Sequence, residues 1–257
     1  MVHQSNHLLK LQYNHQSYYL FVFFSTICSY NLHWYLTEGD GAEQTRIRWT
    51  RQHKYLQIFL VLAGLVMAAW YAIPFLEHWL WLAGSVLFTF LYTAPKMPFR
   101  ISQVLRRIAI AKTLYLTFVW TYVTTVLPAV FSDAGLEANA IVFIVARFFF
   151  IYAICIMFDY RDRESDKKEG IRSLITLMDE KGINRLFYLS ILISAGAYAS
   201  LNFFEISIYT ILLLIIPVII AAMLYPYSKR NRSDYYYYFI LDGLMMLSAL
   251  FTPFLSF

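Results

Sequence analysis

The sequence predicts an all-α, polytopic membrane helix bundle with about eight transmembrane helices, in one domain over residues 1–257. Three observations predict it. Hydrophobic residues make up 60% of the 257, against roughly 45–50% in a soluble domain. Charged residues make up only 14%, against about 25%. The apolar residues also come in runs of about 20, the length that crosses a hydrocarbon core about 30 Å thick at about 1.5 Å per residue. Disordered, collagen-like and disulfide-rich secreted classes are excluded, because no Gly/Pro/Ser-rich tract or charge block interrupts the chain. The two cysteines, Cys28 and Cys155, sit in apolar runs without CxxC or Cys/His spacing, and read as buried thiols.

The first fifteen residues are polar and show no basic segment leading to a small-residue cleavage site, so no cleaved signal is expected. Spans follow at about 17–36, 54–75, 77–94, 108–131, 138–158, 186–204, 207–227 and 237–256. Short turns are expected at Pro74–Glu77, Ser132–Gly135 and Asn202–Glu205. Longer connections are expected at 37–53, 95–107, 159–185 and 228–236. Of the 21 Lys and Arg, 18 fall in or at the edges of these longer connections, while the short turns carry acids only. The positive-inside rule then places the long loops in the cytoplasm and both termini outside. The net charge of +5 is accounted for by this asymmetry, and no nucleic-acid partner is implied. Tyr235 to Tyr238, at the start of the last span, read as an interfacial aromatic anchor.

One loop carries chemistry. Asp159, Asp162 and Asp166 are spaced i, i+3, i+7, and if the fifth span continues as a helix they fall within about 60° of one another. Carboxylates stacked on one face repel unless water or a cation compensates, and Mg²⁺ takes carboxylate oxygens alongside phosphate oxygens. The ladder is therefore either a site for Mg²⁺ and a diphosphate or a solvated, mixed-charge loop with Arg161, Arg163 and Lys167 as neighbours. Arg147, mid-span, is too deep to reach the interface and is expected to bond backbone or a polar residue of a neighbouring span. Asp242, early in the last span, is expected to line the same polar chamber as Asp159. His33, near the end of the first span, reads either as a packed interfacial side chain or as a ligand, and Lys112 as an interfacial lysine.

The string from Asp159 to Asp166, followed by Lys167, Gly170 and Ser173-Leu174, resembles the second aspartate-rich motif of the UbiA superfamily of intramembrane prenyltransferases. That resemblance implies a bundle in which two such motifs hold a polyprenyl diphosphate through Mg²⁺. It implies metal-binding and catalytic roles for Asp159, Asp162 and Asp166. By span order the first motif should end the first span, where the chain reads Asn31 to Asp40. Asn31 matches, but Leu32, Tyr35 and Gly39 take the three aspartate positions, with Glu38 and Asp40 one residue out of register. The segment Tyr92 to Arg100 is similar to the family's Tyr-x-x-Pro-plus-base stretch. Tyr92, Lys96, Arg100, Arg172, Asn31 and Asp242 are thus implied at the diphosphate.

The reaction implied is transfer of a polyprenyl group to an aromatic or lipid-like acceptor, with the aromatic-rich chamber shielding the carbocation. The setting implied is a bacterial inner membrane. The alternative is a non-catalytic relative that binds an isoprenoid, another lipid or a partner after losing the first motif. The sequence points to no particular protein partner.

Overall fold

The computed structural model describes residues 1–36, 52–93, 112–132, 135–168 and 173–252, which contain helices and no strand. Five helical runs are long and apolar enough to cross a membrane: Lys54–Leu91, Thr113–Phe131, Ala138–Lys168, Glu180–Phe204 and Ile208–Ser228. A shorter apolar helix covers Tyr236–Leu247. The five long runs correspond to six of the expected spans, because 54–75 and 77–94 fall in the single run Lys54–Leu91, and the shorter helix falls in the span expected at 237–256. The expected turn at Pro74–Glu77 is a 3₁₀ segment, Ile73–His78. The first expected span is helical but is not among the five. Packing divides the chain into two compact units, Met1–Leu11 with Arg106–Phe257, and Gln12–Leu105.

The larger unit begins with α1 (Val2–Leu8). Next, α5 (Lys112–Thr121) leads through a π turn, Tyr122–Val126, into α6 (Leu127–Phe131). At its centre lies α7 (Ala138–Lys168), packed between α5 and the helix Glu180–Ser200. Every residue from Phe150 to Met157 is buried, the mark of a helix enclosed on all sides. Ser173 and Thr176 form a capping box that starts α8 (Leu174–Leu177). Asp179 caps α9 (Glu180–Ser200) and Ser207 caps α10 (Ile208–Ser228), each accepting an otherwise orphaned backbone N–H. A second π turn, Tyr236–Leu241, opens α11 (Asp242–Phe251).

Helix α5 and the π turn after it carry a row of threonines at i, i+4, i+8 and i+12: Thr113, Thr117, Thr121 and Thr125, all buried. In a helix of 3.6 residues per turn such a row drifts by about 40° per step. The wider π turn contributes fewer degrees per residue and offsets that drift, which keeps Thr125 on the face turned to α7. There it meets Arg147, 1% exposed. The Arg147 guanidinium donates to Thr125 Oγ1 (3.0 Å), the Thr124 carbonyl (3.4 Å), Ser5 Oγ (2.6 Å), Gln4 Oε1 (2.6 Å) and the Met1 carbonyl (3.3 Å), and it also hydrogen-bonds Tyr198. The neighbouring-span partner expected for Arg147 is present. The N-terminal residues, read from sequence as a polar lead-in, supply the rest, with Gln4, Ser5 and Asn6 buried in α1. Bonded this way, a guanidinium can be enclosed without an ionic partner.

In the smaller unit α2 (His15–Tyr35) packs along α3 (Lys54–Ala72), and α4 (Trp79–Thr93) follows the 3₁₀ segment. The α2–α3 crossing is close at Gly64, where a Cβ would stand 3.0 Å from both the Cys28 nitrogen and the Phe24 carbonyl. Backbone atoms cannot yield as a side chain does. Leu62, Leu65, Val66, Trp70, Leu80 and Val86 are exposed, as suits helices solvated by lipid.

Two outcomes follow. Gly64→Val should lower stability by about 1–3 kcal/mol through overpacking, read as a lower thermal midpoint in detergent. Arg147→Met should leave buried hydrogen-bonding groups of α1 without a partner and cost about 1–3 kcal/mol. Hydrogen exchange should then show Val2–Leu8 losing protection while α9 keeps it.

Candidate functional site

The C-terminal half of α7 carries the candidate site. At 31 residues the helix is about 46 Å long, well beyond the roughly 30 Å hydrocarbon core. Its last turns therefore project, and the expected continuation of the fifth span through the Asp ladder is present to Lys168. Asp159 and Asp166 are buried at 8% and 6% exposure, whereas the Asp162 side chain is 41% exposed.

Each carboxylate has its own surroundings. Thr113 Oγ1, the first member of the α5 row, donates to Asp159 Oδ2. One turn deeper, Thr117 Oγ1 donates to the Thr113 carbonyl at 2.8 Å, and Cys155 is buried. Asp242 is half-buried at the start of α11. Asp162 is held by Arg161, whose Nε donates to Oδ1 at 2.7 Å and Nη2 to Oδ2 at 3.3 Å. Among the described residues no three His, Cys, Asp or Glu side chains are grouped to hold a metal ion. As arranged, then, the ladder does not fit a Mg²⁺ ion: its second carboxylate is occupied by a guanidinium.

Arg161 is itself tightly enclosed, its side chain 12% exposed. The guanidinium carbon lies 4.7 Å from the Tyr237 ring centroid, 5.2 Å from Tyr238 and 5.5 Å from Phe158. Its Nη2 donates to the Tyr238 hydroxyl at 3.3 Å, and Nη1 approaches Asp234 Oδ1 at 3.5 Å. The tyrosine run is therefore more than the interfacial anchor expected. Tyr236 and Tyr237 are buried, with their hydroxyls donating to the Leu224 and Ser228 carbonyls. Tyr235 alone of the four is strongly exposed, at 65%. The π turn that carries these rings lets consecutive tyrosines face α7 and α10 together.

A second polar knot ties the same ends of α7, α9 and α10. Lys229 donates to Glu180 Oε1 at 2.5 Å and to Asn184 Oδ1. The Tyr225 hydroxyl donates to Asn184 Oδ1 at 2.9 Å, and Tyr160 donates to Glu180. Arg163 pairs with Glu180 at 3.7 Å and donates to the Met178 carbonyl. These contacts lock the helix ends around the ladder.

The remaining predicted residues are distributed as follows. Asn31 lies in α2 and spends its side-chain amide on its own helix, donating to the Ile27 carbonyl at 2.7 Å. Tyr92 lies in the last turn of α4. Both belong to the smaller unit. Lys96, Arg100, Arg172, Glu38 and Asp40 lie outside the described residues. Sequence reasoning named Arg161 as a charged neighbour of the ladder without pairing it to Asp162, and it missed Thr113, Tyr237 and Tyr238. The threonine row carried a legible signal, four hydroxyls at helical spacing in an apolar run. The Arg161–Asp162 pairing carried none, since adjacent helical residues do not normally face each other.

A sequence model of the UbiA prenyltransferase family matches residues 45–248. No curated protein and no solved structure matches.

Replacing Thr113 by Val should leave the Asp159 carboxylate short of a donor while keeping side-chain volume, at a cost of about 1–3 kcal/mol. The measurement is the thermal midpoint of the variant against Thr117→Val, which lacks a carboxylate partner and should lose less.

Proposed function

The chain belongs to the UbiA prenyltransferase family and is an integral membrane protein, and on that premise we propose that it transfers a polyprenyl group from its diphosphate to an aromatic or lipid-like acceptor. The observation that carries the reading is the Asp159–Asp162–Asp166 ladder on the projecting end of the central helix. Asp242 joins it as a wall of the same chamber. Tyr92, Lys96, Arg100 and Arg172, with Asn31, belong to this reading as diphosphate-binding residues, the basic ones through charge-assisted hydrogen bonds to phosphate oxygens. The protein would sit in a bacterial inner membrane with its long loops in the cytoplasm and both termini outside, in keeping with the basic residues of those loops.

In the reaction the bond between the allylic carbon and the diphosphate oxygen breaks, and the electron pair leaves with the diphosphate. The acceptor supplies the electrons of the new bond and gives up a proton. The chain contributes cationic groups at the departing diphosphate and an apolar, aromatic interior that excludes water from the carbocation and stabilises it through ring faces. Mg²⁺ is the cofactor that the family resemblance implies, since family members generally use it. No step is assigned to it, because the carboxylates as arranged do not gather around one ion.

A second reading draws on the replacement of the first motif by Leu32, Tyr35 and Gly39: a bundle that binds an isoprenoid without turning it over. One experiment separates the two. Purified protein in detergent with Mg²⁺, polyprenyl diphosphates of several lengths and candidate aromatic acceptors should release inorganic pyrophosphate and form a prenylated product. Asp159→Asn should reduce the rate at least about 100-fold, the scale of losing one transition-state electrostatic group. Thermal stabilisation by the diphosphate with no product would sustain the second reading and overturn the first.

A further inference from the structure

A divalent cation at an aspartate ladder does two things: it neutralises stacked carboxylates, and it presents positive charge to an anionic ligand. At Asp162 the first of these is already done by the protein. Both carboxylate oxygens are engaged by Arg161, at 2.7 and 3.3 Å. The two residues are adjacent in sequence, so on a regular helix their Cβ bonds diverge by about 100°. Their side chains meet only because something outside the helix holds the guanidinium beside its neighbour. That something is the pair of rings from Tyr237 and Tyr238, at 4.7 and 5.2 Å, with the Tyr238 hydroxyl bond at 3.3 Å, and Phe158 of α7 itself completes the cage at 5.5 Å. Arginine suits the place: a planar, weakly hydrated cation stacks on aromatic faces and still offers a fork to a carboxylate.

Enclosing a guanidinium carries a desolvation cost, which Arg161 offsets through Asp162, Tyr238 and Asp234. Tyr236 and Tyr237 secure the π turn to α10 through their own hydroxyls, without Arg161. What the cage adds is a fixed positive charge at the second rung of the ladder.

We propose that Arg161 takes the place at Asp162 that a divalent cation would otherwise take, so that the chain's own guanidinium is the resident cation of this rung. This rests on the reading of the ladder as the diphosphate end of the site. Its test measures cation binding and no product, so the two fail separately. It also accounts for a complete Asp-x-x-Asp-x-x-x-Asp string among whose described neighbours no metal-holding group is found.

The test is Mn²⁺ binding to the full chain in detergent, followed by the loss of the free-ion paramagnetic resonance signal. The wild type and Arg161→Lys, which keeps the charge, should bind Mn²⁺ weakly and alike. Arg161→Gln should bind it at least about tenfold more tightly, since a unit charge about 4 Å away is worth more than that factor in a partly buried setting. Adding Asp162→Asn to Arg161→Gln should abolish the gain. Lys167→Gln, which removes an equal charge from a side chain 43% exposed on the same helix, should change affinity by less than about threefold. The proposal is overturned if Arg161→Gln gains nothing beyond Lys167→Gln, or if its gain survives Asp162→Asn. Should Arg161→Gln fail to fold, Asp162→Asn in the wild-type background still decides. Its Mn²⁺ affinity should equal that of the wild type, and a weakened affinity would show Asp162 to be a metal ligand despite Arg161.

Discussion

Where neither water nor a counter-ion is at hand, every buried polar group must find its partner inside the protein, and in this chain that demand is met chiefly between two antiparallel helices. The threonine row of α5 faces α7 along its length. Thr113 serves Asp159 and Thr125 serves Arg147, while Thr117 returns its hydroxyl to the Thr113 carbonyl. The match is arithmetic as well as chemical, since Asp159 and Arg147 are twelve residues apart on one helix and Thr113 and Thr125 twelve apart on the other. The π turn keeps the last threonine in line, so a local irregularity of α5 is what lets one row of hydroxyls serve an anion and a cation roughly 18 Å apart.

The central helix thereby joins structural and chemical demands in one element. Deep in the bundle its charge is a guanidinium, enclosed by hydroxyls, carbonyls and an amide of α1, the α5–α6 run and α9. At its projecting end its charges are carboxylates, arranged among Arg161, the tyrosines of the second π turn and Thr113. Between the two, the uninterrupted buried stretch from Phe150 to Met157 fixes the distance and phase from one end to the other. A disturbance at Arg147 is thus transmitted to the site only through rigid, packed helix.

Much of the fold was legible beforehand because span length and apolarity are properties of single segments. The spans ending in Phe131, beginning at Ala138 and lying within Ile208–Ser228 needed no knowledge of neighbours. The ladder on α7 was legible for the same reason: its spacing depends only on the helix period. The turn expected at Pro74 was not, because Pro at the start of a 3₁₀ segment lets the helical run continue where a break had been read. The tyrosine run was only half legible. Aromatic rings at a span end are expected at an interface, and nothing in four consecutive tyrosines says that a π turn will fold two of them inward.

By itself the sequence determined that the chain lives in a bilayer, which segments are apolar enough to cross it, and that three aspartates share one helix face. Each follows from hydrophobicity or helical period, quantities carried by residues near one another in the chain. Only the tertiary structure decided that Arg147 is enclosed by the N-terminal helix, that Thr113 serves Asp159, and that Asp162 belongs to Arg161. Those pairings join residues far apart in sequence, or neighbours whose side chains a regular helix points apart. They form because packed helices bring polar groups together in surroundings where leaving one without a partner is costly.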